Sequence, residues 1–205
     1  SARPQGVRDA GTRVGRHHVA ELMRNRRLFA RKKKRYCITT DSRHSLPVAQ
    51  NVLNRNFKAA APDRVWVTDI TYIPTQQGWL YLAAILDLYS RKVVGWSMST
   101  CMSRQLTLDA LEMALRERKP DTGLLHHSDR GSQYASHDYQ QALERNGIRC
   151  SMSRKGNCWD NAPTESLWGS LKVGRLYGMR FETRRQAMDE VIDWLGFYNN
   201  TKLHQ

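Results

Sequence analysis

Val65-Trp66-Val67-Thr68-Asp69-Ile70-Thr71-Tyr72-Ile73 is dense in β-branched and aromatic residues, the composition that suits a pleated, half-buried strand. Working outward, Gln76-Gln77-Gly78 marks a turn, and Trp79 to Leu88 reads as a second strand. That strand is almost continuously apolar, as expected when both faces of a sheet are covered. Lys92 to Thr100 is a third, and the short connections predict an antiparallel meander. Leu106, Leu108, Leu111, Met113, Ala114 and Leu115 then mark a helix ended by Lys119-Pro120. Leu124 to Ser128 is a short strand, 137–146 a helix, Arg149 to Met152 a strand and Asn161 to Leu176 a helix. A last helix runs from Thr183 to about Tyr198, with Ala187, Val191, Trp194 and Leu195 on one stripe. The order β-β-β-α-β-α-β-α-α predicts an α/β fold whose sheet is partly antiparallel.

Upstream of this globule the chain changes character. The 205 residues carry 33 Lys and Arg against 19 Asp and Glu, net +14. Residues 1–64 account for +12 of that excess and 65–205 for only +2. A charge block of this kind argues for a polyanionic partner, most simply nucleic acid. From Arg16 to Leu28, Val19, Leu22 and Met23 recur at helical spacing beside Arg24, Arg26 and Arg27. The run Arg31-Lys32-Lys33-Lys34-Arg35 cannot pack inward, and such runs bind phosphate without reading sequence. Residues 36–63 read as a polar connector closed by Pro62. The expected division is thus 1–63 as basic arm and linker and 64–205 as globule.

Hydrophobic residues make up 40% of the chain, enough for a packed core. No apolar stretch approaches the roughly 18–20 residues that span a bilayer, and none follows the first residues as a signal peptide requires. A cytoplasmic protein with no membrane partner is expected. Cysteines 37, 101, 150 and 158 form no C-x-x-C pair, so zinc spacing is absent, and they read as small buried apolar residues in a reducing compartment.

Three acids stand out. Asp69 interrupts the first strand, where a carboxylate costs several kcal/mol unless it is paired or bound to a cation. A structural ion pair with Arg or Lys is the plainer reading. Asp129 ends the apolar strand and opens into Arg130-Gly131, the usual place for ligand groups in α/β sheets. His126 and His127 precede it, but neighbours on a strand face opposite ways, so one is expected in the core and one exposed. Glu165 follows Pro163, which fixes a helix start nearby; alone it reads as a dipole partner. Asp160 lies just ahead of that helix and reads as a cap. Lys172, seven residues beyond Glu165, returns to within about 20° of the same face. Together the three acids can hold two divalent cations for phosphoryl transfer, and hard oxygen ligands suit Mg²⁺ or Mn²⁺ rather than zinc.

With 35 residues between Asp129 and Glu165, the set resembles the D-D-(35)-E signature of retroviral integrases and insertion-sequence transposases. Trp66-Val67-Thr68-Asp69-Ile70-Thr71-Tyr72, Ser128-Asp129-Arg130-Gly131-Ser132-Gln133-Tyr134 and Gly156-Asn157-Cys158-Trp159-Asp160-Asn161-Ala162 are similar to words of the OrfB-type transposases of two-frame insertion sequences. The resemblance implies an RNase H-like integrase core, a mixed sheet flanked by helices, preceded by a helix-turn-helix region of which residues 16–35 look like the tail. It implies Asp69, Asp129 and Glu165 as catalytic residues and metal ligands for two Mg²⁺ ions, with Mn²⁺ as substitute. It also implies DNA contacts from Lys172, Arg130, Arg154 and Lys155, with the Arg31–Arg35 run adding phosphate contacts. The partners implied are double-stranded DNA (terminal repeats and target) and further copies of the chain on that DNA, in a bacterial cytoplasm and at the nucleoid when bound. Arg27 stands where a glycine is usual, and Lys202 replaces arginine in Tyr198-Asn199-Asn200-Thr201-Lys202-Leu203-His204. The chain opens without Met and closes without the usual continuation, so a truncated core is expected. Three functions stay open at this point: a DNA strand transferase, an RNase H-like nuclease that needs neither Lys172 nor element ends, and a DNA-binding fragment without chemistry.

Overall fold

A computed structural model describes Glu21, Met23, Asn25 and residues 44–155 and 157–201. Glu21, Met23 and Asn25 are helical; the rest of the arm, including Arg31–Arg35, and residues 202–205 lie outside the described residues. The elements are β1 Val65–Thr75, β2 Gly78–Asp87, β3 Val93–Ser99, α1 Arg104–Arg118, β4 Leu125–Ser128, α2 Ser132–Ala135, α3 His137–Arg145, β5 Arg149–Met152, a 3₁₀ turn Cys158–Asn161, α4 Ala162–Gly174 and α5 Arg184–Asn200. The expected order holds, with the four-residue α2 added. Its sequence, Ser132-Gln133-Tyr134-Ala135, is too short to show a period.

The five strands lie in the order β3-β2-β1-β4-β5. β1, β2 and β3 form the expected antiparallel meander, while β4 adds parallel to β1 and β5 parallel to β4. Period-two alternation divides the sheet between two cores. Val67 and Ile73 of β1 and Leu80, Leu82, Ala84 and Leu86 of β2 pack under α4 and α5, with Leu167, Leu171, Val191 and Trp194. Trp66, Ile70, Ala83 and Ile85 pack the opposite way, against Leu106, Ala110 and Leu111 of α1 and Tyr139 and Leu143 of α3. Asp69 shares its parity with Val67, so it sits on the α4–α5 face.

Close packing makes Gly95 obligatory: a Cβ there would stand 2.3 Å from the Ala110 carbonyl oxygen of α1. α1 stops where Lys119 turns left-handed at φ 45° ahead of Pro120. α5 starts at a capping box, in which Thr183 and Gln186 satisfy one another's backbone N–H groups.

The chain divides between Tyr36 and Cys37, and the described part of the connector packs with the globule. Gln50 accepts from Met152 of β5, the Val52 and Leu53 amides donate to Ser151 Oγ, and Leu53 is 3% exposed. The C-terminal half of the edge strand β5 is thereby covered, which reduces a pairing hazard. Asp63 closes the segment with a bidentate Arg118 pair at 2.7–3.1 Å and a bond from Trp66 Nε1.

Two expectations need correcting. His126 and His127 are both buried, because β4 is an inner strand with helices over one face and the docked connector near the other. His126 Nε2 meets Tyr139 Oη at 2.6 Å, and His127 Nδ1 meets Ser151 Oγ at 2.8 Å. Burial depresses both imidazoles, to about 3 and about 4, so both are neutral. Cys101 is exposed and Cys150 only half-buried; Cys101 lies in the polar link between β3 and α1.

Candidate active site

The parallel β1–β4 ladder pairs Val65 with Leu125, Trp66 with His126 and Val67 with His127. Continuing that offset by two residues sets Asp69 beside Asp129, just past the end of β4. The sequence therefore brings two carboxylates together by register alone, one from a strand interior and one from a strand end. Gly131 N–H donates to Asp129 Oδ1 at 2.8 Å, a short turn that fixes the second carboxylate.

From the other side, Trp168 of α4 donates its indole N–H to Asp69 Oδ2 at 2.9 Å. Trp168 lies three residues after Glu165 and so on a neighbouring face of the helix. The bond ties α4 directly to β1. Asp69 is pushed up from 3.8 to about 7, first by burial and next by the nearby negative charge of Asp129, with a smaller push from Glu165; the Trp168 bond and the Ile70 amide oppose the rise. Glu165 itself is exposed in the first turn of α4. Among the described residues no three His, Cys, Asp or Glu side chains close into a metal-binding group. Asp69 and Asp129 form the inner pair, and Glu165 stands further out.

Lys172 is half-buried, with its ammonium 4.6 Å from the centre of the Tyr72 ring. Burial lowers its pKa, and the charge of Asp69 works against that lowering. The lysine thus lies within the electrostatic reach of Asp69. Tyr72 in turn meets Trp79 edge-on at 4.9 Å.

The remaining basic residues differ in freedom. Lys155 is exposed. Arg130 is half-buried and donates from Nε to the Ser153 carbonyl. Arg154 forms a fork onto Asp160, Nε to Oδ2 at 2.9 Å and Nη2 to Oδ1 at 2.7 Å. Its guanidinium is engaged by that carboxylate while the side chain itself stays exposed. Asp160 is no cap: the α4 cap position belongs to Asn161, which makes no side-chain cap bond. Asp160 is fully buried instead, and Arg154, the leading cause, holds its carboxyl well below the usual carboxylate range. Sequence reasoning missed Trp168, Tyr72, Asn51 and Arg55. Of these only Trp168 gave a signal, its helical spacing from Glu165.

A mixed five-stranded sheet with one acid on β1 and another just past the end of the adjoining β4 defines an RNase H-like α/β core. Solved structures of that fold agree. The simian T-cell lymphotropic virus intasome matches with a TM-score of 0.62 at 18% identity, over 82% of this chain and 58% of that one. The HTLV-2 integrase catalytic core domain in complex with magnesium matches with a TM-score of 0.55 at 15% identity, over 72% of this chain and 94% of that one. Models of the integrase core domain match residues 59–158 and 146–205. An insertion element IS600 31 kDa protein of Shigella sonnei is 48% identical over 95% of this chain and 72% of its own length. The transposase InsF for insertion sequence IS3A of Escherichia coli K12 is 44% identical over 91% of this chain. The chain spans 65% of that transposase's length. This chain belongs to the integrase core domain family, in the branch that contains these insertion-element proteins.

Proposed function

We propose that the chain is the catalytic part of an insertion-sequence transposase, a polynucleotidyl transferase that cleaves DNA strands at element ends and joins them to target DNA. The observation that carries this reading is the register-built pair of Asp69 and Asp129, whose mutual repulsion helps push Asp69 to about 7. A carboxylate held at that cost has a use for a divalent cation, and a donor set of carboxylates alone suits Mg²⁺. Asp69 and Asp129 would hold it, with Glu165 completing the set from α4. Two ions, with Mn²⁺ as substitute, fit the chemistry, and magnesium in the HTLV-2 core supports the choice. Bound there, the metal supplies Lewis-acid polarisation of the scissile phosphate and activation of the attacking hydroxyl.

The protein's own residues do the rest. Trp168 fixes the Asp69 carboxylate and couples it to α4. Lys172, oriented on Tyr72, offers a cation to a phosphate beside the acids. Arg130 and Lys155 extend that positive edge, and Arg31–Arg35 add phosphate contacts from the arm. The partner is double-stranded DNA, and further copies of the chain assemble on it, as the intasome of like fold suggests. The residue readings favour chemistry over DNA binding alone, which gains nothing from a carboxylate that destabilises the fold. Oligonucleotides bearing element ends, incubated with Mg²⁺, test the proposal. Nicking at the end followed by joining to a second duplex is expected. Random nicking without joining would make the protein an RNase H-like nuclease, and binding without cleavage a DNA-binding fragment.

A further inference from the structure

We propose that Asp160 is a positioning residue, a buried clamp through which the segment ahead of β1 fixes the start of α4 and hence the place of Glu165. The inference rests on the function proposed above. Asp160 has no exposed surface, and both of its oxygens are saturated. Oδ1 accepts from Arg55 Nε at 2.8 Å and Arg154 Nη2 at 2.7 Å. Oδ2 accepts from Asn51 Nδ2 at 2.9 Å, the Arg154 amide at 3.0 Å and Arg154 Nε at 2.9 Å. Burying a charge is unfavourable unless such partners surround it. A stable core has no need of this arrangement, since an apolar side chain would fill the space more simply.

Its location explains the expense. α4 lacks the side-chain cap that ordinarily fixes a helix start, and Asn161 Oδ1 is buried without a partner among the described residues. Order must come from the preceding turn, and Asp160 is where that turn is held. Arg55 grips it twice, adding a bond from Nη2 to Asn157 Oδ1 at 2.9 Å. The same segment reaches the other acidic loop, where His44 Nε2 meets the Arg130 carbonyl at 2.9 Å, one residue beyond Asp129. Residues 44–55 therefore touch the loop that carries Asp129 and the turn ahead of the helix that carries Glu165, and Asn51 and Arg55 are more than 100 positions from Asp160 in the chain. Glu165 is exposed in the first turn of α4, so its direction follows that of the helix start. Metal chemistry tolerates little slack there.

Full-length Asp160→Asn, Arg55→Met, Arg55→Lys and Arg154→Met test the clamp. Arg55→Met removes one side of it from the half-exposed end, so it carries the test if Asp160→Asn fails to fold. Three quantities are read: single-turnover cleavage of end-bearing duplex at saturating DNA and Mg²⁺, metal-free DNA affinity, and amide exchange over 162–167. We expect at least tenfold slower cleavage in Asp160→Asn, Arg55→Met and Arg154→Met, with affinity within twofold of wild type. Exchange over 162–167 should quicken while the β1 and β2 amides stay unchanged, and Arg55→Lys should recover most of the rate. Wild-type cleavage and wild-type exchange in Arg55→Met would overturn the clamp. So would weakened DNA affinity with unaltered exchange in Arg154→Met, which would make Arg154 a DNA contact. If the wild-type chain does not cleave, the transposase reading fails, and the exchange data still decide whether the clamp orders α4.

Discussion

Replacing Asp69 with Asn should abolish cleavage and, at neutral pH, make the protein more stable. The rise of Asp69 from 3.8 to about 7 corresponds to at most about 4 kcal/mol against the ionised form, at 1.36 kcal/mol per pH unit. Asp69 is only half-buried and shares its repulsion with Asp129, so about 1–2 kcal/mol is the expected gain. Asn keeps an oxygen for the Trp168 indole, so the tie to α4 survives. In a chain of this length the gain is about 2–8 °C in Tm. The pH dependence follows from the direction of the shift. Below about pH 4 Asp69 is protonated in both folded and unfolded chains and contributes nothing. Between about pH 4 and pH 7 the folded state binds the extra proton, so wild-type stability falls as pH rises, and above 7 the loss is complete. Calorimetry in EDTA at pH 4 and pH 7.5 measures this. The variant's advantage should appear at 7.5 and vanish at 4. Mg²⁺ should raise the Tm of wild type and leave that of the variant almost unmoved. A variant no more stable than wild type at pH 7.5 would refute the reasoning, because the carboxyl would then carry no repulsion for a cation to relieve.

Lys172→Ala should lower end-specific binding or cleavage about tenfold while lowering Tm by no more than about 4 °C, since the lysine's contact with Tyr72 is a partly solvated cation–π pair of about 0.5–1 kcal/mol; wild-type activity would return it to an ordinary helix lysine. His126 and His127 act opposite in sign to Asp69: both are buried neutral, so stability present above pH 6.5 falls as pH drops toward 4, by up to about 2 kcal/mol for His126 at pH 5. His126→Gln should therefore flatten the fall in Tm between pH 7 and 5, and an unchanged slope would place the acid sensitivity elsewhere. Deleting residues 1–35 should weaken binding to any duplex and flatten the plot of log K against log salt, each lost phosphate contact removing a slope of about 0.9; an unaltered slope would mean that the arm touches no phosphate.

The part of this site that the sequence made legible was built from local rules. VWVTDITYI is a strand because β-branched and aromatic residues crowd it, and alternation then decides that Asp69 faces one way and Trp66 and Ile70 the other. Asp129 was findable because an apolar run stopping at Asp-Arg-Gly marks a strand end. Alternation states a face, however, and not whether that face is covered. His126 and His127 were assigned opposite faces correctly, and the inference that one must be exposed failed because helices cover one side of β4 and the connector packs toward the other.

Asp160 failed for a different reason. An acid just before a helix satisfies the capping rule as written, and nothing within ten residues except Arg154 hints at another fate. What overrides the rule is tertiary: Asn51 and Arg55 arrive from beyond 100 residues away, carried by a segment whose polar composition reads as a linker. A polar segment can dock when its hydrogen bonds have partners waiting, here Ser151 Oγ, the Met152 amide and the Asp160 carboxylate. Those partners belong to β5 and to the turn before α4, elements that local patterns located but could not pair with the chain ahead of β1. The residues that local pattern leaves looking ordinary, a capping acid and a linker arginine, are then the pair that ties the connector to the helix bearing Glu165.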